Sequence, residues 1–287
     1  MSKHSFERVV WALVLMACGE PAAVGHDAAT TSDAHVLAND AAMLDAARPD
    51  APMADAGHAA STDTGALDAG MPAPCPADAL LCDDFEAAAL ASRWTLDASD
   101  GEATIDTMSA HGHGALHVHV ASHGGARALV QAHSFFPVAG NSVYARAFVR
   151  LASPAPTVHV GMVDGSGESI EVRLGLGPAL LPNYSGPGVE FGSWAADPPL
   201  MPVDTWTCLE WALLDDPGTD HDRLLYWIDG VEETNHEIDG TGTDVWRMPT
   251  LDQVELGLIM YHDDEAGMGH DIWYDDVVFA THRVGCH

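Results

Sequence analysis

Short runs of alternating apolar and polar residues, separated by glycine, proline, asparagine and aspartate, fill the chain from Cys75 to its end. Alternation places successive side chains on opposite faces of a strand, and no long segment has the 3.6-residue period of an amphipathic helix. Many short strands with such breaks are typical of an antiparallel sandwich or barrel. The runs are 115–120, 128–131, 143–151, 157–163, 169–174, 208–214, 223–228, 254–261 and 272–280.

Two local signals refine this all-β prediction. The pair Asp229-Gly230 follows one run directly and indicates a tight hairpin. The segment 86–92 is compatible with a short helix.

The composition changes abruptly at Cys75. Residues 19–74 consist mainly of Ala, Asp, Pro, Gly, Thr and Ser, contain repeated Asp-Ala pairs and have no aromatic residue. Such a segment cannot bury enough apolar surface to offset the entropy lost on ordering. We therefore expect a disordered linker over 18–74 and one folded domain over 75–287.

The first residues have the pattern of an export signal. Lys3 and Arg8 precede an apolar run, 9–17, that is too short to span a bilayer. The run ends in Leu15-Met16-Ala17-Cys18, which resembles the lipobox of bacterial lipoproteins. That resemblance implies a signal peptide over 1–17 and acylation of Cys18, and Gly19 favours the outer membrane. The alternative is an ordinary secretory signal followed by a chance cysteine.

The charge is strongly acidic. The formal net charge is −32, and Lys3 is the only lysine. An acidic surface repels phosphate backbones, so nucleic-acid binding is disfavoured, whereas divalent cations and neutral or cationic partners are accommodated. Composition bias alone is the alternative explanation.

Four cysteines lie in the predicted domain, an even number that suits two disulfides in an oxidising compartment. Cys75 and Cys82 are close enough for a local bridge, which leaves Cys208 and Cys286 to join a late strand to the C-terminus. The other two pairings remain open from sequence.

The last run has two adjacent carboxylates in an apolar strand. Alternation assigns Trp273, Asp275, Val277 and Phe279 to one face, and Ile272, Tyr274, Asp276 and Val278 to the other. Buried carboxylates are costly unless they are compensated, and a bound cation would compensate them.

Four motifs occur in a consistent order: Cys82-Asp83-Asp84-Phe85-Glu86, Ser109-Ala110-His111-Gly112, Leu225-Tyr226-Trp227-Ile228-Asp229-Gly230 and Trp273-Tyr274-Asp275-Asp276. Together they resemble the concanavalin-A-like jelly-roll superfamily, especially its polysaccharide-lyase-like and carbohydrate-binding domains. The resemblance covers about 80–287 and implies a two-sheet antiparallel jelly-roll sandwich. Binding, catalytic and adhesion proteins share this fold, so function does not follow from it.

The resemblance also implies a structural calcium ion. Its ligands would be Glu86 from the opening strand, Asp275 from the closing strand and the backbone near Ser109 and His111. Asp84 and Asp276 are alternates. Carboxylates and carbonyls are the hard oxygen ligands that calcium prefers. The alternative is that these acids lie in edge loops and face water.

Alternation further predicts a groove for a ligand. Arg146, His159, Glu171, Arg173 and Tyr261 would face outward on one sheet, and Trp194 would add an aromatic rim. The alternative is ordinary cross-strand pairing, for example of Glu171 with Arg146.

His117 and His119 share one face of a predicted strand and could chelate a transition metal. The alternative is that they form the solvent face of an outer strand.

The case for catalysis is weaker than the case for binding. Arg146, His159 and Tyr261 are chemically suited to a polysaccharide lyase, but the Tyr-x-Lys motif of jelly-roll lyases is absent because Lys3 is the only lysine. A glucanase signature is absent as well. We therefore expect a monomeric cell-surface lipoprotein that binds glycans without cleaving them. The alternatives are a lyase or glycoside hydrolase acting in the groove, and a structural or adhesion protein.

Overall fold

The computed structural model describes residues 75–154, 160–177, 180–186, 189–192, 201–234, 237–241, 246–265, 267 and 269–286. The predicted signal peptide and linker, including Cys18, lie outside the described residues, and so do His159 and Trp194.

The described residues form fifteen strands and one turn of 3-10 helix, Ala139–Asn141. The strands are β1 Leu81–Asp83, β2 Thr95–Ser99, β3 Gly101–Asp106, β4 Ala115–Val120, β5 Arg127–Ala132, β6 Val143–Leu151, β7 Val160–Gly167, β8 Ile170–Leu176, β9 Leu180–Gly186, β10 Val189–Gly192, β11 Thr207–Leu214, β12 Arg223–Ile228, β13 Val231–Glu232, β14 Gln253–Met260 and β15 His270–Ala280. Within the described ranges no helix is long and apolar enough to cross a membrane.

Two antiparallel sheets contain these strands. The eight-stranded sheet has the order β13-β12-β11-β6-β15-β4-β3, with β1 also paired to β15. The seven-stranded sheet has the order β10-β9-β8-β7-β14-β5-β2. The predicted two-sheet jelly-roll sandwich is therefore confirmed.

One apolar core fills the space between the sheets, because each strand directs its apolar positions inward. Tyr274 of the eight-stranded sheet is fully buried, and its hydroxyl donates to the carbonyls of Met162 (2.8 Å) and Gly257 (2.9 Å) on the opposite sheet. This polar contact inside an apolar core fixes how the two sheets face each other.

The hairpin prediction is confirmed, and the short helix is wrong. Asp229 and Gly230 have φ of 49° and 81° and join β12 to β13, as expected for a two-residue turn that needs positive φ twice. The segment 86–92 contains no helix. It carries the chain from β1 in one sheet to β2 in the other, and it begins after Phe85, whose positive φ of 52° directs the chain away from a helical path.

The assignment of faces in the last strand is wrong beyond Asp275. Asp275 pairs with Phe148 and Val278 pairs with Arg146, so β15 has one residue more than β6 between these positions. The extra residue is a β-bulge, at which Asp276 has φ of 48°. The bulge shifts the alternation by one position. Ile272, Tyr274, Val277 and Phe279 therefore face the core, and Trp273 and Val278 do not.

Two disulfides close the domain at its ends. Cys75–Cys82 ties the segment before β1 to that strand, and Cys208–Cys286 ties β11 to the C-terminal segment. This is the pairing that the sequence favours. Two disulfides in a domain of this kind fit an exported protein.

Candidate functional site

The bulge in β15 directs two carboxylates toward the loop 109–114, which connects β3 to β4. Asp275 Oδ2 accepts hydrogen bonds from the backbone N–H groups of Ala110 (2.8 Å) and His111 (3.0 Å). Asp276 Oδ2 lies 2.6 Å from Nδ1 of His111. Asp275 and Asp276 are both almost completely buried. The loop and the last strand are therefore joined through carboxylate oxygens.

Glu86 reaches the same loop from the segment after β1. Its Oε1 accepts from the N–H groups of His113 (2.6 Å) and Gly114 (3.0 Å). A Cβ at Gly112 would lie 2.1 Å from that oxygen and would displace the Glu86 carboxylate, and the φ of 62° also favours glycine at this turn. The first and last strands of the domain are paired, since Leu81, Cys82 and Asp83 pair with β15.

Two adjacent carboxylates at the bulge disfavour full ionisation of both. Burial and the neighbouring charge of Asp276 raise the pKa of Asp275, amide donors oppose the shift, and the resulting pKa is about 6. Ligand atoms of His111, Asp275 and Asp276 lie within 4.8 Å of one another. Asp275 and Asp276 therefore supply hard oxygen donors at one point, and Glu86 contacts backbone amides of the same loop. Oxygen donors are what calcium prefers, so these carboxylates fit the predicted ion.

The other two predicted ligands, Asp84 and Ser109, lie in the neighbouring segments. Asp84 is half-buried, and its Oδ1 accepts from the N–H of Glu86 at 3.3 Å, which is a local turn contact. Ser109 begins the loop and is half-buried.

The predicted groove does not assemble, because its residues belong to different sheets. Arg146 lies on β6 in the eight-stranded sheet, whereas Glu171 and Arg173 lie on β8 and Tyr261 follows β14 in the seven-stranded sheet. The alternative prediction, a cross-strand pair of Glu171 with Arg146, is also wrong, because the two residues lie in different sheets. Alternation had correctly identified outward-facing positions, but it could not tell which sheet each strand joins.

Arg146 has a structural environment. It is 2% exposed and donates to the carbonyls of Gly285 (3.3 Å) and Asp276 (3.4 Å). Burial lowers its pKa, and the charges of Asp276 and Glu210 oppose that shift. Arg283 and the N–H of Gly285 also bind Glu210, which pairs with Arg146 across β11 and β6. The C-terminal segment therefore covers Arg146, in a different sheet from Glu171, Arg173 and Tyr261.

The outer face of the seven-stranded sheet carries a continuous row of polar residues. Strand pairing places them directly opposite one another from β9 to β5, and we call this set the polar row. Its members are Asn183, Arg173, Asp164, Glu255 and Gln131.

Side-chain contacts join the members of the polar row. Arg173 donates to Asn183 Oδ1 and, at 3.2 Å, to Glu171 Oε2, and its guanidinium lies 4.4 Å from the centre of the Tyr261 ring. Gln131 Nε2 donates to Glu255 Oε1 at 2.6 Å. Most members of the row are buried, whereas Glu171, Tyr261 and Gln131 are half-buried at its margin.

Burial raises the pKa values of the two acids in the polar row. It raises the pKa of Asp164 well above the ordinary value, and the charges of Glu255 and Glu171 raise it further, whereas Arg173 opposes the shift. Burial likewise raises the pKa of Glu255, while the hydrogen bond from Gln131 opposes this. The pKa of Tyr261 is also raised by burial. Protonated carboxyl and phenol groups can donate hydrogen bonds.

Sequence reasoning missed Asp164 because of a second irregularity. Strict alternation from Val160 would direct Asp164 inward, together with Met162. The register shifts between Gly161 and Val163, so Met162 and Val163 both reach the core and Asp164 faces outward. Alternation with Val254 and Leu256 does predict that Glu255 faces outward. A single glutamate in a strand, however, does not by itself indicate a functional site.

Comparisons with known proteins show the fold alone. No protein-family model matches the chain, and no curated protein matches it. Among solved structures, the cellulose-induced protein Cip1 is similar, with 20% identity and a TM-score of 0.58 over 72% of this chain and 100% of that one. The alginate lyase vAL-1 from Chlorella virus has 11% identity and a TM-score of 0.47, covering 66% and 93%. The binding domain of botulinum neurotoxin DC has 9% identity and a TM-score of 0.44, covering 67% and 44%.

Asp164→Asn should change how stability depends on pH. The pKa of Asp164 is raised in the folded state, so above the unfolded-state pKa the folded protein holds more protons and wild-type stability falls as pH rises. The amide removes this loss. Urea denaturation between about pH 4 and pH 8 should show the variant gaining at least about 1.4 kcal/mol over wild type, the equivalent of one pKa unit.

The matched control is Asp252→Asn, at an exposed aspartate just before β14. It should follow the wild-type profile. Parallel profiles for wild type and Asp164→Asn would contradict the raised pKa.

Proposed function

We propose that this domain binds glycans without cleaving them, on the outer face of the seven-stranded sheet. The observation that supports this most directly is the polar row with Tyr261 beside it. Planar amide, carboxyl and guanidinium groups match the paired hydroxyls of sugars, and aromatic rings supply apolar contact. The half-buried groups of Glu171, Gln131 and Tyr261 are available to a ligand, and the buried row holds them in place.

The charge of this face favours a neutral glycan over a uronate polymer. Arg173 is its buried cation, and it already contacts Asn183, Glu171 and Tyr261. The half-buried Glu171 lies beside it, and the whole chain has a formal charge of −32. An anionic sugar would therefore approach an acidic protein whose guanidinium on this face is already paired.

The residues predicted for a lyase are not all brought together. Arg146 lies in the other sheet beneath the C-terminal segment, Tyr261 lies on this face, and His159 is outside the described residues. The fold shared with Cip1 is compatible with either activity, because a fold does not fix a function.

Glycan binding can be tested with the double variant Gln131→Ala/Glu171→Ala. Hits on an array of neutral and acidic glycans would be titrated by calorimetry, and the variant should bind at least about tenfold more weakly, which is about 1.4 kcal/mol. The control is Glu102→Ala, at an exposed residue on β3 of the other sheet, and it should bind as wild type does.

Other outcomes would overturn this proposal. A wild-type protein with no glycan hits favours the structural role. Unsaturated ends released from uronate polymers, detected by their ultraviolet absorbance, favour the lyase.

We also propose that calcium binds at the loop 109–114 and stabilises the pairing of β1 and β15, the first and last strands of the domain. The support is the convergence of Glu86, Asp275 and Asp276 on that loop and the burial of the two aspartates. A cation there would offset the repulsion between the adjacent carboxylates. Its role is structural, since the polar row lies on the other sheet.

Removal of calcium should lower the melting temperature. We expect EDTA to reduce it by about 5 °C or more and added calcium to restore it, because an ion that binds only the folded state stabilises that state. Glu86→Ala should abolish the response, and Glu232→Ala, at an exposed residue on β13, should retain it. A melting temperature indifferent to both EDTA and calcium would rule out this site and leave the glycan proposal untouched.

We further propose that the mature chain is a lipoprotein of the bacterial outer membrane, monomeric and exposed at the cell surface. The support is the leader that ends in Leu15-Met16-Ala17-Cys18 together with the two disulfides. Several acyl chains would give stable membrane attachment.

Acylation can be tested by expressing the full chain in a bacterium with an outer membrane and feeding labelled palmitate. The protein should take up label and fractionate with the outer membrane, and Cys18→Ser should lose both properties. Met16→Leu preserves the lipobox and should behave as wild type does. Label retained in Cys18→Ser would refute acylation at this residue.

A further inference from the structure

Two histidines and one aspartate meet on the outer face of the eight-stranded sheet. His117 and His119 lie two residues apart on β4, and Asp271 lies opposite His119 on β15. Asp271 Oδ1 is 2.8 Å from His117 Nε2 and 3.0 Å from His119 Nδ1. A single carboxylate oxygen therefore lies between two imidazole nitrogens from the neighbouring strand.

Neighbouring groups hold both rings in place. His117 stacks on Trp273 with a centroid distance of 4.4 Å and an interplanar angle of 6°, and Trp273 Nε1 donates to Asp106 at 3.0 Å. His119 packs against the backbone at Gly269, where a Cβ would lie 2.7 Å from its Cε1 atom. The stack and the backbone contact limit the motion of the two rings, and such preorganisation favours ligand binding.

The donor set differs from that of the loop 109–114. Two imidazoles and one carboxylate suit zinc and other first-row transition ions, whereas calcium takes oxygen ligands. Asp271 and Asp275 are four residues apart on β15, or about 13 Å along an extended strand. The two clusters are separate places on the same sheet face.

We propose that His117, His119 and Asp271 bind a divalent transition metal ion such as Zn²⁺. The ion takes the place of the shared carboxylate oxygen, and each nitrogen moves inward by less than about 1 Å to reach a bond length of about 2.1 Å. Asp271, whose side chain is 32% exposed, moves outward and ligates the ion from the solvent side. Both histidines bind as neutral imidazoles, each with its proton on the ring nitrogen that faces away from the ion.

A fourth donor is close to the cluster. Glu102 on β3 lies directly opposite His119 and is exposed. Its carboxylate, or water, completes a four-coordinate ion. The ion would link β3, β4 and β15 and would be accessible to solvent on one side.

Zinc titration of the full chain by calorimetry tests the site. Excess calcium is present throughout, so that the oxygen cluster is saturated and failure of the calcium proposal does not alter the result. We expect His117→Ala, His119→Gln and Asp271→Asn each to raise the Kd of the highest-affinity Zn²⁺ site at least about tenfold, because each removes one ligand. The control is His123→Ala, in the same histidine-rich stretch but with a half-exposed ring; it should stay within about twofold of wild type.

Copper resonance separates ligation from an indirect effect. Cu²⁺ bound to the wild type should show nitrogen superhyperfine coupling from two imidazoles, and His119→Gln should reduce this to one. Circular dichroism of the metal-free variants checks folding. If His117→Ala unfolds because it loses the stack on Trp273, His119→Gln and Asp271→Asn decide the question.

The proposal is overturned if the wild type shows no stoichiometric Zn²⁺ binding, or if folded His119→Gln and Asp271→Asn bind Zn²⁺ as tightly as wild type. A tenfold loss in His123→Ala alone would also overturn it, since the ion would then lie elsewhere. None of these results bears on glycan binding, which is assigned to the other sheet.

Discussion

Two adjacent carboxylates are buried in the strand on which the sandwich is assembled. β15 pairs with β1, β4 and β6, so any disturbance there affects the first and last parts of the domain together. An uncompensated buried carboxylate costs several kcal/mol. The bulge turns Asp275 and Asp276 toward the loop 109–114, whose amides and His111 receive them. The loop cannot take this shape without the strand, and the strand cannot bury its acids without the loop.

The outer faces of the two sheets consequently differ. On the eight-stranded sheet, the loop 109–114 and the C-terminal segment cover the centre, and Arg146 and Glu210 are sealed beneath residues held by the Cys208–Cys286 disulfide. On the seven-stranded sheet, the polar row continues across five strands. Hydrogen bonds join Arg173 to Asn183 and Gln131 to Glu255 within it. The strand pairing on which both ends of the domain depend lies in the other sheet.

The sequence predicted the strands that have apolar alternation and missed those that do not. β6 and β12 have the predicted bounds, because one face of each is continuously apolar. β2 is nearly all polar or exposed, and β9 contains Pro182, so neither gives the signal. Bulges caused the errors of face at Val277 and Asp164, since one inserted residue reverses the alternation after it. The prediction that Arg146 shares a sheet with Glu171 and Tyr261 failed for another reason. A period of two assigns a side chain to one face of its strand, but long-range pairing determines which sheet that strand joins.

Burial moves the titrating groups on this face in one direction. It raises the pKa of Tyr261, Asp164 and Glu255 alike. Glycoside hydrolysis requires two carboxyl groups whose environments move their pKa values apart. Here the two cross-strand neighbours, Asp164 and Glu255, are moved in the same direction by the same cause. The environment therefore does not separate this pair into an acid and a base, which is one reason that we propose recognition of a glycan on this face and not its breakdown.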